Sequence, residues 1–192
     1  MCGGVIFPYK KEYREILEKY YSPEDIARFE ATGEVKSLYW QKGEPVLPVV
    51  AAQNEKEGDE AGVTDDGAEP RIMLWGNRDK EESFPKTGWA RAESIEEGKW
   101  RYLKPKPAMI PVSFGVEKGK WFSIENGIAG LVVEKDGEER VYMLTREANP
   151  EYFDHTSHER MPVLLDQSSI PWLSGDPAGT DSASQTSFPT ND

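Results

Sequence analysis

Cys2 is the only cysteine in the chain of 192 residues, and it follows Met1 directly in the run Met1-Cys2-Gly3-Gly4-Val5-Ile6-Phe7. If Met1 is cleaved, which a small second residue permits, Cys2 carries a thiol and a free α-amine on adjacent carbons. The amine titrates at roughly 7.7–8.0 and a thiol at about 8.5, so both are partly nucleophilic near neutral pH. Such a pair condenses with an aldehyde: nitrogen forms a Schiff base, and sulfur closes a five-membered thiazolidine. Gly3 and Gly4 let backbone and substrate come close. The plainer alternative is a start codon followed by an incidental cysteine, with the glycines turning into a first strand. A lone cysteine is only a candidate nucleophile until a proton-carrying partner is found.

Two kinds of partner are available. The chain has two histidines, His155 and His158, three apart and just ahead of Arg160-Met161-Pro162-Val163-Leu164-Leu165. On one helical turn they could pair on a metal, but no His-Glu-x-x-His or cysteine cluster accompanies them, so no metal is expected. Left to itself, a histidine on a polar turn before a strand is more simply solvent-exposed. Glu117 ends an apolar run from Ile110 to Val116, where burial would raise its pKa and let it move protons. The other reading of Glu117 is an ordinary hairpin-turn glutamate beside Gly119.

The elements that must position these groups are mixed. Tyr13, Ile16, Leu17 and Tyr20 recur at helical spacing, predicting a helix over Lys10–Tyr21. Ser22-Pro23-Glu24-Asp25 is a helix start, with Gly33 as its end. Strands are expected at Val35–Trp40, Val46–Ala52 and Arg71–Trp75. Four apolar runs follow, at Ala108–Phe114, Lys120–Ile124, Ala129–Glu134 and Arg140–Leu144. Turn signals at Gly119, Gly127 and Asp136-Gly137 separate them in the manner of an antiparallel meander. Asn149 caps a short helix towards His155, and Met161–Leu165 forms a last strand. The fold class is α+β, a β-rich core of mainly antiparallel strands with peripheral helices.

Composition narrows the setting. A single cysteine excludes an internal disulfide framework, and there is no signal-like or membrane-spanning run, so a soluble cytoplasmic protein is expected. A net charge of −12 argues against nucleic acid as a partner, but the charge is unevenly spread. Residues 54–70 hold seven acidic residues against Lys56 alone, and residues 174–192 add three aspartates. Neither stretch has the apolar content to offset its ordering entropy, so both are expected to be disordered around one domain spanning 1–173.

The ordered landmarks of this chain resemble those of the SOS-response-associated peptidase (SRAP) family. They are Met1-Cys2-Gly3, Trp75-Gly76, Ala90-Arg91-Ala92-Glu93, Pro111 six residues before Glu117, Thr145-x-Glu147-Ala148-Asn149 and His158-Glu159-Arg160-Met161-Pro162-Val163. The resemblance runs from Cys2 to about Leu173. It implies a sensor of abasic sites in single-stranded DNA that captures them as a covalent DNA–protein cross-link. Cys2, Glu117 and His158 would then be catalytic, with removal of Met1 by the protein itself. DNA would be held by Arg91, Arg78 and Arg160 and stacked on Trp75 and Trp89. No cofactor is implied, the protein would act as a monomer, and in a bacterium it would be nucleoid-associated.

The chain also departs from the family. Gly4 stands where an arginine usually contacts phosphate, so Gly4→Arg is expected to restore a DNA contact. Trp89 stands where an asparagine amide helps hold the sugar, and is read equally as a stacking platform or a core residue. Glu117 keeps its place while its neighbours change. A non-covalent member binding single-stranded DNA or protein therefore stays open. An N-terminal-cysteine amidotransferase is disfavoured, because no His-Arg-Gly follows and Asn126-Gly127 leads into Ile128.

Overall fold

The computed structural model describes residues 2–51, 69–79 and 83–179. All but the last two residues of the acidic stretch at 54–70 lie outside these, as does the tail beyond residue 179.

The first strand, β1 (Gly4–Pro8), leads into a 3-10 turn at Lys11–Tyr13 and one turn of helix, α1 (Arg14–Leu17). The amphipathic spacing is right, since Tyr13 and Leu17 are the buried positions, but the helix is shorter than its pattern. Tyr20 and Tyr21 both donate their N–H to the Leu17 carbonyl, which tightens the last turn and closes it before Pro23. The next helix, α2 (Pro23–Thr32), follows its sequence signals closely. Ser22 Oγ accepts the Asp25 N–H at 3.2 Å, the Asp25 carboxylate accepts the Ser22 N–H at 3.4 Å, and Gly33 ends the helix at φ 73°.

The strands build two sheets. One is four-stranded and antiparallel, in the order β2 (Glu34–Leu38), β1, β7 (Phe114–Glu117), β8 (Lys120–Ser123). The other contains β3 (Val46–Ala51), β4 (Arg71–Trp75), β6 (Lys106–Ile110), β9 (Ile128–Lys135) and β10 (Glu138–Glu147). Its order is β10-β4-β3-β6-β9, and β9 pairs again with β10, so the sheet closes into a barrel. Only β4 and a short β5 (Trp89–Arg91) run parallel to β10. The ten residues of β10 overrun the barrel, and the overhang carries β5 on one edge and β11 (Arg160–Pro162) on the other. The fold is therefore α+β, a barrel-like mixed sheet with peripheral helices.

A continuous meander from Ala108 to Leu144 is not what forms. The Ala108–Phe114 run divides at Pro111, which has no N–H to continue the ladder. After β6 the chain crosses to the small sheet, where the Ser113 N–H bonds to the Ile6 carbonyl at 2.9 Å. The two hairpins thus belong to different sheets. Each is closed by a two-residue left-handed turn, Lys118-Gly119 (φ 47° and 76°) and Asp136-Gly137 (φ 53° and 80°). Three elements have no counterpart in the sequence reading: β5, the five-residue helix α3 (Ala92–Glu96) that follows it, and a 3-10 turn at Arg101–Leu103. Helix α4 (Pro150–Thr156) is capped as expected, with the Asn149 side chain accepting the Tyr152 N–H at 2.8 Å.

The main core lies between the small sheet and the barrel and includes Val5, Phe7, Leu17, Phe29, Trp75, Ile110, Phe122, Tyr152 and Cys2 itself. The opposite face of the small sheet holds a lesser cluster of Ile6, Val116 and Trp121, covered by Leu38, Phe114 and Leu173. The chain after β11 seals that side: Pro171 accepts the Ser123 N–H, Leu173 donates to Trp121, and Lys36 pairs with Asp176. Among the described residues no helix is long and apolar enough to cross a membrane.

Gly4 belongs to this lesser cluster, which corrects the expectation that an arginine there would reach DNA. A Cβ on Gly4 would sit 2.3 Å from Leu38 Cδ2, 3.0 Å from Val116 Cγ1 and 3.2 Å from the Ser37 carbonyl. Gly4→Arg should lower the stability to urea unfolding by at least about 1–3 kcal/mol, the usual cost of overpacking. It should leave DNA affinity untightened. An unchanged unfolding midpoint would show that residue 4 is not enclosed in this way.

Candidate active site

Three hydrogen bonds hold the start of the chain. The Gly3 N–H donates to the Val116 carbonyl at 2.8 Å, and the Gly3 carbonyl accepts the Tyr39 N–H at 2.9 Å. The Cys2 carbonyl accepts the indole N–H of Trp89 at 3.1 Å. Trp89 is itself wedged against Tyr39 and Trp75, with ring centroids 4.5 and 5.7 Å away. The Trp75 indole N–H donates to the Gly88 carbonyl at 2.8 Å, fixing the residue before Trp89. Cys2 therefore comes to rest against β7, its Sγ over Gly115, where a Cβ would approach it to 3.1 Å.

That contact puts Cys2 two residues from Glu117, the last residue of β7. Glu117 is 7 % exposed, and burial raises its pKa above the ordinary 4.5. Cys2 is fully enclosed. Burial, reinforced by the neighbouring Glu117 charge, pushes its thiol up to about 12. The thiol bonds to the Gly4 carbonyl at 3.1 Å. At neutral pH it is a protonated thiol, not a thiolate.

His158 arrives from the other side. Ser157 adopts a left-handed conformation at φ 51° and ends α4, turning the chain towards β11. The His158 N–H donates to Thr156 Oγ1 at 3.2 Å, and His158 Nδ1 accepts the Arg160 N–H at 3.1 Å. With Nδ1 accepting, the ring proton resides on Nε2. Burial lowers the His158 pKa, so the ring is a neutral donor at physiological pH. His155 does not share this place. Its ring stacks on Trp172 at 4.3 Å and 4°, with Nδ1 on the Glu151 carbonyl. Among the described residues no three His, Cys, Asp or Glu side chains could hold a metal together.

A cleft of about 680 Å³ runs between β5, the β7–β8 turn and the α4–β11 turn. Trp89, Arg91, Lys118, Phe153, His158 and Arg160 line it. Lys118 reaches the Ser157 carbonyl at 3.3 Å, bridging the Glu117 turn to the His158 turn. Cys2 is tied to the same cleft through Trp89. Trp89 and His158 thus line one cleft, and Cys2 and Glu117, which do not line it, are buried next to residues that do, Trp89 and Lys118.

The other expected contacts sort differently. Arg91 is exposed at the end of β5, and its side chain makes no hydrogen bond or ion pair among the described residues. Arg160 is engaged already, forking onto Glu93 at 3.0 and 2.8 Å and onto the Thr145 carbonyl at 2.7 Å. That fork holds the Glu93 carboxyl down at about 2. Arg78 lies away from the cleft, donating to the carbonyls of Tyr39, Gln41 and Gly43 and so closing the loop between β2 and β3. Trp75 is 1 % exposed, with no ring face open to a base. Trp89, at 8 %, is a core residue whose polar edge anchors Cys2. Among the residues that line the cleft, the open aromatic is Phe153, 47 % exposed on α4. Sequence reading passed over it, although an aromatic on the polar face of a capped helix was the available signal. Lys118 was likewise missed.

No protein-family model, curated protein or solved structure matches this chain.

The raised pKa of Glu117 has a direct consequence for stability. A carboxyl raised in the folded state binds more protons folded than unfolded, so its contribution is full below about pH 4.5 and is lost as pH rises through the raised value. Glu117→Gln removes that loss. The variant should match the parent near pH 4 and be more stable than it at pH 7, as read by urea unfolding at both. A variant less stable at pH 7 would mean that the folded state prefers the carboxylate.

Proposed function

We propose that this protein captures the aldehyde of a ring-opened abasic site in single-stranded DNA as a thiazolidine on Cys2, after removing its own Met1. The reading is supported above all by buried Cys2 and Glu117 adjoining, through Trp89 and Lys118, a cleft lined by His158 and Arg91.

The proton states fit the order of steps. With the thiol pushed up to about 12, the Cys2 amine is the first nucleophile once Met1 has been hydrolysed away. The amine adds to the aldehyde carbon, giving a carbinolamine. Glu117, whose burial raises its pKa, donates to the departing oxygen, and water leaves with formation of the imine. The thiol then adds across C=N: sulfur bonds to carbon, and its proton passes to nitrogen through the Glu117 carboxylate. The net change is loss of one water, with no oxidation or reduction. His158, a neutral Nε2–H donor, holds or protonates the sugar oxygen. Arg91, exposed at the rim, takes a phosphate, and Phe153 offers a base its ring face.

A second reading is favoured by one observation: Cys2 is fully enclosed. On that reading the protein is a non-covalent binder of single-stranded DNA or of a protein in the same cleft.

The deciding experiment mixes the protein with single-stranded DNA carrying one abasic site and measures adduct surviving heat. The parent should form it, Cys2→Ala should form none, and Cys2→Ser should give at most a labile imine. An adduct undiminished in Cys2→Ala would move the chemistry to a lysine. Binding by the parent without any adduct would leave the second reading.

A further inference from the structure

Two non-glycine residues that line the cleft hold a left-handed backbone, Lys118 at φ 47° and Ser157 at φ 51°. Each adjoins a residue with a proton to move: Lys118 follows Glu117 at the end of β7, and Ser157 precedes His158 after α4. The two also touch, since the Lys118 ammonium donates to the Ser157 carbonyl at 3.3 Å.

Lys118 is not a residue its turn would select. A two-residue hairpin turn with both residues left-handed favours Asn, Asp or Gly at its first position. The other such hairpin follows that preference with Asp136-Gly137, whereas the β7–β8 turn has Lys118-Gly119. A lysine in this conformation strains the backbone and adds nothing to the turn. What it adds is reach, because its ammonium passes from the Glu117 side of the cleft to the His158 side.

The charges around the His158 ring show a use for that reach. Burial is the main cause that lowers its pKa, and the positive charges of the chain's N-terminus and of Lys118 act in the same direction. The adjacent carboxylate of Glu159 acts against them. Of the other cations on the cleft, Arg160 is neutralised by Glu93, and Arg91 stands on β5.

We infer that Lys118 is a positioning residue, a clasp that fixes the His158 turn against the Glu117 turn and keeps a positive charge beside the imidazole. The inference rests on the proposed function for its purpose, since these two turns carry the groups that exchange protons with the sugar. Lys118 touches no reacting atom. It acts through His158, holding the ring in the neutral form that donates from Nε2.

The test needs no DNA. Lys118→Asn removes the clasp but gives the turn a residue it favours, so it should be at least as stable as the parent in urea. The His158 and Arg160 N–H groups, bonded to Thr156 Oγ1 and His158 Nδ1, should exchange with solvent about fivefold faster, the scale of one hydrogen bond. The NMR titration of the His158 ring should move to higher pH, because loss of a nearby cation favours the protonated ring. That displacement should shrink in high salt, with His155, stacked on Trp172, as the reference signal. Lys118→Arg keeps both charge and donor and should resemble the parent in exchange and titration. Exchange within twofold of the parent, or an unmoved titration, in Lys118→Asn would overturn the assignment. So would a Lys118→Arg variant that titrates like Lys118→Asn. A displaced His158 titration in a chain that forms no adduct with abasic DNA would keep the clasp and remove the proposed function. An unmoved titration with intact cross-linking would do the reverse.

Discussion

Everything at the site depends on how the first residues are held. A chain end is ordinarily the least ordered part of a protein, because its ordering entropy is offset by few contacts. Here the carbonyls of Cys2 and Gly3 and the N–H of Gly3 are each bonded, to Trp89, Tyr39 and Val116. The first two of these partners belong to one aromatic cluster, which Trp75 completes from inside the barrel. The small sheet, the barrel and β5 therefore converge on residue 2. Trp89 is central to this arrangement, since a single indole both fills the core and supplies the donor that fixes Cys2.

Enclosure then dictates the chemistry. Taking ionisable groups out of water favours their neutral forms, and the site shows this consistently: thiol, carboxyl and phenol are raised, and imidazole is lowered. The result is a set of protonated donors and neutral bases rather than ready-made ions. That suits a condensation in which protons are exchanged at each step and no permanent charge is made. It also keeps the sole thiol from reacting indiscriminately. Positive charge is kept outside this enclosure, at the rim of the cleft, where Arg91 and Lys118 face solvent while Arg160 is neutralised by Glu93.

Much of the scaffold was legible because its signals are local. The Ser22 capping box, the Asn149 cap and the two left-handed hairpin turns each depend on a few neighbouring residues, and each formed where the residue types required it. What was illegible depended on distant partners. Whether Ala108–Phe114 continued or crossed sheets was decided by Pro111 interrupting the ladder and by Ser113 and Phe114 pairing with Ile6, more than a hundred residues earlier. The three residues of β5 are too few to show a period, and they form a strand because β10 overhangs the barrel and offers an edge. For the site, residue type pointed to Cys2, Glu117 and His158; His158 lines the cleft, and Cys2 and Glu117 are buried beside residues that do. Type alone could not separate Trp75 and Trp89, which are buried, from Phe153, which is open. Nor could it show that Gly4 faces away from the cleft or that Arg78 closes a loop.

The central claim is that Cys2 becomes the chain terminus and bonds to the abasic sugar through both nitrogen and sulfur. Intact mass of the protein after reaction with an abasic single strand, followed by mapping of the modified peptide, tests it most directly. The account predicts a peptide that begins at Cys2, lacks Met1 and carries the sugar, with no thiol left to alkylate after unfolding. A modified peptide that retains Met1, or one whose Cys2 thiol still alkylates fully, would contradict it.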